Sequence, residues 1–280
     1  MKPSLAIRIS IHALLLAACA ITLYPVAWVV KTAVTPRQSF SPSPNPWPST
    51  WSLSNFRDVL GTHQGATWLF GRQLLNSLLV SASVTIVGVV LACGAAYALS
   101  RFRFIGRDFS LRGFLLSQMF PGVVTAIPLY ILLDHLQLLN SLAGLVLVYS
   151  TTAIPFCVFM LKGYFDSLPH ELEEAVLLDG GTHFDAFFRV ILPLSRPALA
   201  VTALFSFLTA WNEFILAATF MSRPASYTLP VAMQNYVGDF STEWGHFAAG
   251  AVLVSLPVML LFFALEKHLI GGLTEGAVKG

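Results

Sequence analysis

Two clusters of side chains in this sequence could do chemistry or carry recognition. The first lies in residues 163–195, which hold Asp166, Glu171, Glu173, Glu174, Asp179 and Asp185 but only Arg189 as a basic residue. An apolar face rimmed by acids suits a basic groove on a partner protein. The second is Trp211-Asn212-Glu213, set inside an apolar run. A carboxylate there is costly to desolvate and marks a functional site. A ring face beside an amide and a carboxylate suits a sugar; the same three residues also fit a polar contact between helices of two subunits. Other chemistries are poorly supplied. The histidines at 12, 63, 135, 170, 183, 246 and 268 are scattered, and Cys19, Cys93 and Cys157 sit alone in apolar runs without metal-ligand spacing. They read as small buried hydrophobes. No Gly-x-x-x-x-Gly-Lys-Ser/Thr loop occurs, nor any Gly-Lys pair, so the chain lacks a P-loop for ATP. We expect no enzyme activity, no metal and no cofactor bound by the chain itself.

The elements that position these clusters are membrane spans. The chain has 280 residues, 56% hydrophobic and 11% charged, with a formal net charge of +2. Soluble domains carry about 25% charged residues, and a nucleic-acid partner would call for a basic patch. Six runs approach the roughly 20 apolar residues that a bilayer demands: 9–34, 74–99, 113–133, 142–161, 198–220 and 247–265. Only helices satisfy such backbone without strand partners, and the short alternating segments of a barrel are absent. The expected fold class is therefore all-α, a polytopic membrane protein with six transmembrane helices. Prolines 25, 121, 128, 155 and 257 fall inside the runs, where membrane helices tolerate them. Leu16-Ala17-Ala18-Cys19 looks like a lipoprotein cleavage site, but the apolar run continues to Val30, so the segment reads as an uncleaved first span.

Lys and Arg set the orientation. With the N-terminus inside, eleven of the sixteen basic residues fall inside and five outside, and the cluster from Arg101 to Arg112 carries most of the bias. Residues 35–73, with five prolines between Pro36 and Pro48, read as an extended outer strap. The acidic loop 163–195 falls inside. Pro169 suits a helix start, and Glu171, Glu173 and Glu174 suit the positive end of a helix dipole. Leu172, Ala175, Val176 and Leu178 form one apolar face. Asp179-Gly180-Gly181 breaks the helix. A second amphipathic turn comes next, through Phe184, Phe187, Phe188, Val190 and Ile191, and Pro193 stops it.

At these residues the sequence resembles a known family, the binding-protein-dependent ABC importer permeases. Their signature is Glu-Ala-Ala, three residues, Gly, nine residues, then Ile-x-Leu-Pro. Glu174, Ala175 and Val176 take the first places, Gly180 the Gly, and Val190, Leu192 and Pro193 the last; Val176 and Val190 are conservative departures. Asp179 before the Gly is also typical. The end of the chain, Gly272 to Gly280, is similar to the carbohydrate branch, most like its maltose/maltodextrin permease subunits. So are Asn76-Ser77, Gln118-Met119-Phe120-Pro121 and Lys162-Gly163-Tyr164-Phe165.

The resemblance implies a type I importer permease fold in a bacterial cytoplasmic (inner) membrane, with both termini cytoplasmic. It implies a first helix and outer loop over 1–71, a membrane domain over 72–267 with a coupling loop at 163–195, and a tail at 268–280. It implies a homologous second permease, two cytoplasmic ATPase subunits that hold ATP and Mg, a soluble or lipid-anchored substrate-binding protein, membrane lipid and a sugar. Glu174 would meet the ATPase and Gly180 would allow the bend. The tail would leave the last span in non-helical form and enter the ATPase dimer, with Leu273 and Val278 as apolar anchors and Thr274 and Lys279 as donors. Trp211, Asn212 and Glu213 would line the sugar pathway. The competing expectations are an ion-coupled secondary transporter, against which no internal repeat is visible, a membrane enzyme, and a permease for another solute such as a glycerol phosphate.

Overall fold

The computed structural model describes residues 5–38, 45–238 and 241–276. The chain forms two compact units, one from residues 1–71 and 233–256, the other from 72–232 and 257–280.

The first unit contains α1 (Leu5–Ala33), α2 (Ser54–Leu60) and a two-strand hairpin, β1 (His63–Gln64) and β2 (Thr67–Trp68), paired antiparallel with His63 opposite Trp68. The prolines predict an extended strap over 35–73; residues 54–68 are folded instead. The prolines stop at Pro48, and a buried asparagine organises the segment beyond them. Asn55 Nδ2 donates to the carbonyls of Ala33 (2.9 Å) and Thr35 (2.8 Å), and Gln38 Nε2 donates to Asn55 Oδ1 at 2.8 Å. A buried amide left unpaired would cost about 1–3 kcal/mol, so these bonds fix how α1 leads into α2. Cys19 lies within the unbroken α1 and is exposed.

The second unit is built on α3 (Leu69–Arg101), α4 (Arg107–Met119), α5 (Gly122–His135), α6 (Leu142–Ser167), α7 (Glu171–Leu178), α8 (His183–Ala186), α9 (Leu192–Leu194), α10 (Arg196–Trp211) and α11 (Ile215–Phe220). Short α12 (Leu229–Met233) and long α13 (Trp244–Gly276) complete the chain. Among the described residues, four helices are long and apolar enough to cross a bilayer: α1, α3, α6 and α13. Two bent pairs pass the same test together, α4 with α5 and the 183–194 stretch with α10, and bring the number to six; in the second pair the apolar run begins at 198, so residues 183–194 stand outside the span itself.

The third run is not straight. It bends by 101° between α4 and α5. Pro121 has no N–H to donate and clashes with a helical conformation at the residue before it; Phe120 accordingly sits extended at φ −78°, ψ 123°. Pro25, Pro128, Pro155 and Pro257 stay within helices. The fifth run is likewise divided, at Asn212–Phe214 between α10 and α11.

α6 is the axis of this unit. More than half of its most apolar stretch is buried, against none of α1's. It joins two cores, one around Val84, Leu133, Leu145 and Phe220, the other around Ala96, Cys157, Leu161 and Ile191. Small residues let the helices approach closely. A Cβ on Gly88 of α3 would lie 3.5 Å from Cys157 Sγ, 3.6 Å from Ala153 Cβ and 3.6 Å from Ser206 Oγ, which belong to α6 and α10. Asn76 and Ser77 have a structural task. Asn76 Nδ2 donates to the carbonyls of Ala225 (2.9 Å) and Tyr227 (3.0 Å), and Ser77 Oγ accepts from Leu229 N at 2.7 Å. They satisfy an irregular segment that would otherwise present bare backbone inside the protein.

The last helix corrects one expectation. Residues 272–276 are helical, where a non-helical tail was expected. A helix already running from Trp244 needs no new nucleus, and each Gly costs only about 1 kcal/mol relative to Ala. Leu273 and Thr274 therefore lie on α13, while Val278 and Lys279 fall outside the described residues.

Candidate functional site

The acidic segment folds as a helical hairpin. α7 has eight residues with all three glutamates in its first turn, on the positive end of its dipole. It closes with a Schellman arrangement: Gly180 N donates to Leu177 O (3.1 Å) and Gly181 N to Val176 O (2.9 Å). Gly180 adopts φ +83°, and nothing lies within 4 Å of where its Cβ would be. Conformation rather than space therefore calls for glycine at 180. Asp179 is the exposed cap just before it.

α8 begins with a capping box. Thr182 N and Oγ1 donate to Asp185 Oδ2 at 2.9 and 2.6 Å, and Asp185 N donates to Thr182 Oγ1 at 3.2 Å. These bonds from Thr182 hold the Asp185 carboxyl below its ordinary range, and Arg189 nearby adds to the effect. The helix then widens into a π turn over Phe187–Ile191. The sequence predicts that Pro193 stops this helix; the helical path instead continues through Leu194 and turns at Ser195 into α10. Proline is tolerated in the first turn of a helix, where its missing N–H leaves no bond unmade, and Pro193 holds that position in α9. Val190, Leu192 and Pro193 are half-buried.

The hairpin sorts its side chains into an inner and an outer set. Glu173 is 6% exposed. Arg101 Nε donates to its Oε1, and Tyr97 OH donates to its Oε2 at 2.8 Å. Glu171, Glu174 and Ala175 are exposed, with Leu178 (88%), Phe184 (76%) and Phe188 around them. The apolar face that the spacing predicts, Leu172, Ala175, Val176 and Leu178, is mostly turned outward. Between α3 and the second half of the hairpin, a cavity of about 480 Å³ is lined by Cys93, Tyr97, Phe102, His183 and Phe187, among others. Sequence reasoning missed Glu173 and Arg101 as a pair. The signal was there: an acid-rich loop and a basic cluster on the same side of the spans.

Trp211, Asn212 and Glu213 do not share one surface. Trp211 is 1% exposed and stacks on Phe207, with ring centroids 5.5 Å apart, so its face is closed to a ligand here. Asn212 is exposed at the end of α10. Glu213 is half-buried at the break. Its Oε1 accepts from Leu216 N (2.8 Å), and its Oε2 accepts from Ala217 N (3.0 Å) and Tyr149 OH (2.5 Å). The carboxylate thus caps the start of α11 and ties it to α6. Among the described residues no cluster of His, Cys, Asp or Glu could hold a metal ion.

Comparison with known proteins gives a consistent result. The model of the family "Binding-protein-dependent transport system inner membrane component" matches residues 85–274. The galactooligosaccharides transport system permease protein GanQ of Bacillus subtilis is 36% identical, over 100% of this chain and 99% of its own. The diacetylchitobiose uptake system permease protein DasC of Streptomyces coelicolor is 36% identical over 92% of each chain. The maltose/maltodextrin transport system permease protein MalG of Yersinia pestis is 36% identical over 96% of this chain and 92% of its own. A crystal structure of a bacterial ABC transporter involved in the import of the acidic polysaccharide alginate superposes with a TM-score of 0.75, at 20% identity, over 95% of this chain and 99% of that one.

Proposed function

The chain belongs to the family of binding-protein-dependent transport system inner membrane components, and from that premise we propose that it is one permease subunit of an ATP-driven importer of oligosaccharides, of the maltodextrin kind or related to it. It is a multi-pass protein of the inner membrane. Family membership removes the ion-coupled alternative, and the chain carries no ATPase site of its own. The named relatives with recognised substrates handle different sugars, among them galactooligosaccharides, diacetylchitobiose and maltodextrins. That spread supports a carbohydrate cargo and leaves the particular sugar to measurement.

The observation that carries the mechanism is the outward set on the 171–194 hairpin. Exposed apolar side chains ringed by Glu171 and Glu174 offer a basic cleft on an ATPase subunit both burial and charge complementarity. Two such ATPase subunits would hold ATP and Mg, and a homologous permease would complete the pathway. A soluble or lipid-anchored binding protein would deliver the sugar at the opposite face. Both termini would then be cytoplasmic, in keeping with the excess of Lys and Arg on that side. The distal end of α13, with Leu273 and Thr274, and the residues beyond it would reach toward the ATPase dimer. Glu213 and Asn212 would border the pathway at the break between α10 and α11; half-helix ends of this kind are where transporters place polar ligand groups.

The test is purification of the tagged chain with the products of its neighbouring transport genes, then uptake and ATP hydrolysis in proteoliposomes. Copurification of an ATPase and sugar-stimulated hydrolysis are expected. Glu174→Lys should leave membrane insertion intact and reduce that stimulation, as should Gly180→Leu, which places a branched side chain at φ +83°. Wild-type stimulation in both variants would remove the hairpin from the coupling path.

A further inference from the structure

The hairpin holds three acids in one turn and turns one of them inward, and the surroundings of that inward acid are unlike those of any other ion pair in its unit. Within residues 72–232 the other described pairs are local: Arg107 with Asp108, Lys162 with Asp166, Arg189 with Asp185. Glu173 and Arg101 are 72 residues apart in sequence, and their side chains are 8% and 3% exposed. The same guanidinium donates through Nη2 to Leu168 O at 3.1 Å, at the C-terminal cap of α6. Tyr97 fills the second carboxylate oxygen. Its ring lies edge-on to Phe165 of α6 (6.4 Å) and Phe102 (5.8 Å), and 4.7 Å from Phe187 of the π turn. The end of α3, the end of α6, α7 and the π turn thus meet around one Arg–Glu–Tyr cluster.

We infer that Glu173 is a positioning residue and that the Arg101–Glu173–Tyr97 cluster is the joint through which movement of α7 is carried into α3. The inference rests on the permease reading above. α7 has two turns, too few to hold their own shape or place in water. It is gripped from outside through Glu171, Glu174 and Leu178 and fastened inside through Glu173. Replacing a buried ion pair by apolar residues is often neutral for stability. What the pair supplies, and an apolar pair does not, is direction. Nε and a phenol each take one oxygen of the carboxylate, so α7 can neither slide nor roll against α3 without breaking a charge-assisted bond. A hydrophobic contact would let it do both.

The experiment compares three variants in the complete, reconstituted complex with its ATPase, partner permease and binding protein: the pair Arg101→Met with Glu173→Met, Tyr97→Phe, and the exchange Arg101→Glu with Glu173→Arg. The readout is sugar transported per ATP hydrolysed, which a purely structural role would not move once assembly is matched. The Met pair should assemble and lose about tenfold of that ratio, the scale expected when a coupling element is loosened. Tyr97→Phe should lose about twofold, and the exchange should recover part of what the Met pair loses. An assembled Met pair with the wild-type ratio overturns the inference. If the Met pair does not assemble, Tyr97→Phe decides: a wild-type ratio there overturns it equally. A wild-type chain that fails to copurify with any ATPase overturns the permease reading itself, and the joint with it.

Discussion

Glu173 and Glu213 are both drawn back from bulk water, and their charges are compensated in different ways. Glu173 meets a cation from a distant helix and a phenol. Glu213 meets a phenol and two backbone amides at the start of α11, with no cation among its described partners. The first arrangement fastens two helices together by charge. The second uses the free N–H groups and positive dipole of a short helix, which exist only because the chain is broken between α10 and α11. One acid therefore locks a joint and the other maintains an interruption. A charge pair resists relative motion of whole elements, whereas a capped break leaves a helix end whose bonds can be exchanged with little disturbance elsewhere.

Arg101→Ala should break that contrast most severely. It strands a buried carboxylate, and removing one partner of a buried pair costs about 3–5 kcal/mol. The thermal midpoint of the detergent-purified protein should fall sharply, and Glu173→Gln in the same background should recover much of the loss. Glu213→Ala should cost less, about 1–2 kcal/mol for a lost helix cap. The same melting experiment should show a smaller shift, while sugar uptake in assembled complex should fall more than the shift accounts for if Glu213 borders the pathway. Tyr149→Phe should be milder still, about 1 kcal/mol, since one hydrogen bond goes and both amide bonds to Glu213 remain. The smallest effect is expected outside the spans, at the capping box. Asp185 is held low by Thr182, so its contribution is present above the ordinary aspartate value, near pH 4, and is lost as pH falls through the lowered one. The difference in melting midpoint between wild type and Asp185→Asn should therefore be largest near neutrality and shrink on acidification below about pH 4; a difference that grew instead would reverse the sign of the assignment.

Much of this architecture is legible from composition and punctuation alone. Run lengths place the spans, and Asp179-Gly180-Gly181 places the bend, because both depend on local chemistry. What the sequence conceals depends on partners far along the chain. Nothing near Glu173 distinguishes it from Glu174 next door; Arg101, 72 residues away, decides which turns inward. Trp211 looks like a binding residue beside Asn212 and Glu213, yet Phe207, one helical turn earlier, claims its ring. Pro121 and Pro128 look alike within one apolar run. Pro121 ends α4, whereas Pro128 is carried inside α5, and only tertiary packing separates the two cases. Asn55 likewise reads as an ordinary loop residue until the carbonyls of Ala33 and Thr35 come within its reach.

The π turn at Phe187–Ile191 bears on how this segment tolerates change over time. A π turn holds one residue more than the α-helical path it interrupts. Because the extra residue is taken up locally, the helix leaves the turn on nearly the line it would have followed without it. Deleting one of the five residues would regularise the helix and leave Ser195 and α10 nearly in place, whereas a further insertion would rotate everything downstream by about 100°. After an insertion ahead of it, Ile191, now fully buried, would swing away from its core, and the turn at Ser195 would aim α10 elsewhere. In this stretch the two directions of length change are unequal, and descendants of this sequence should lose a residue at 187–191 before they gain one.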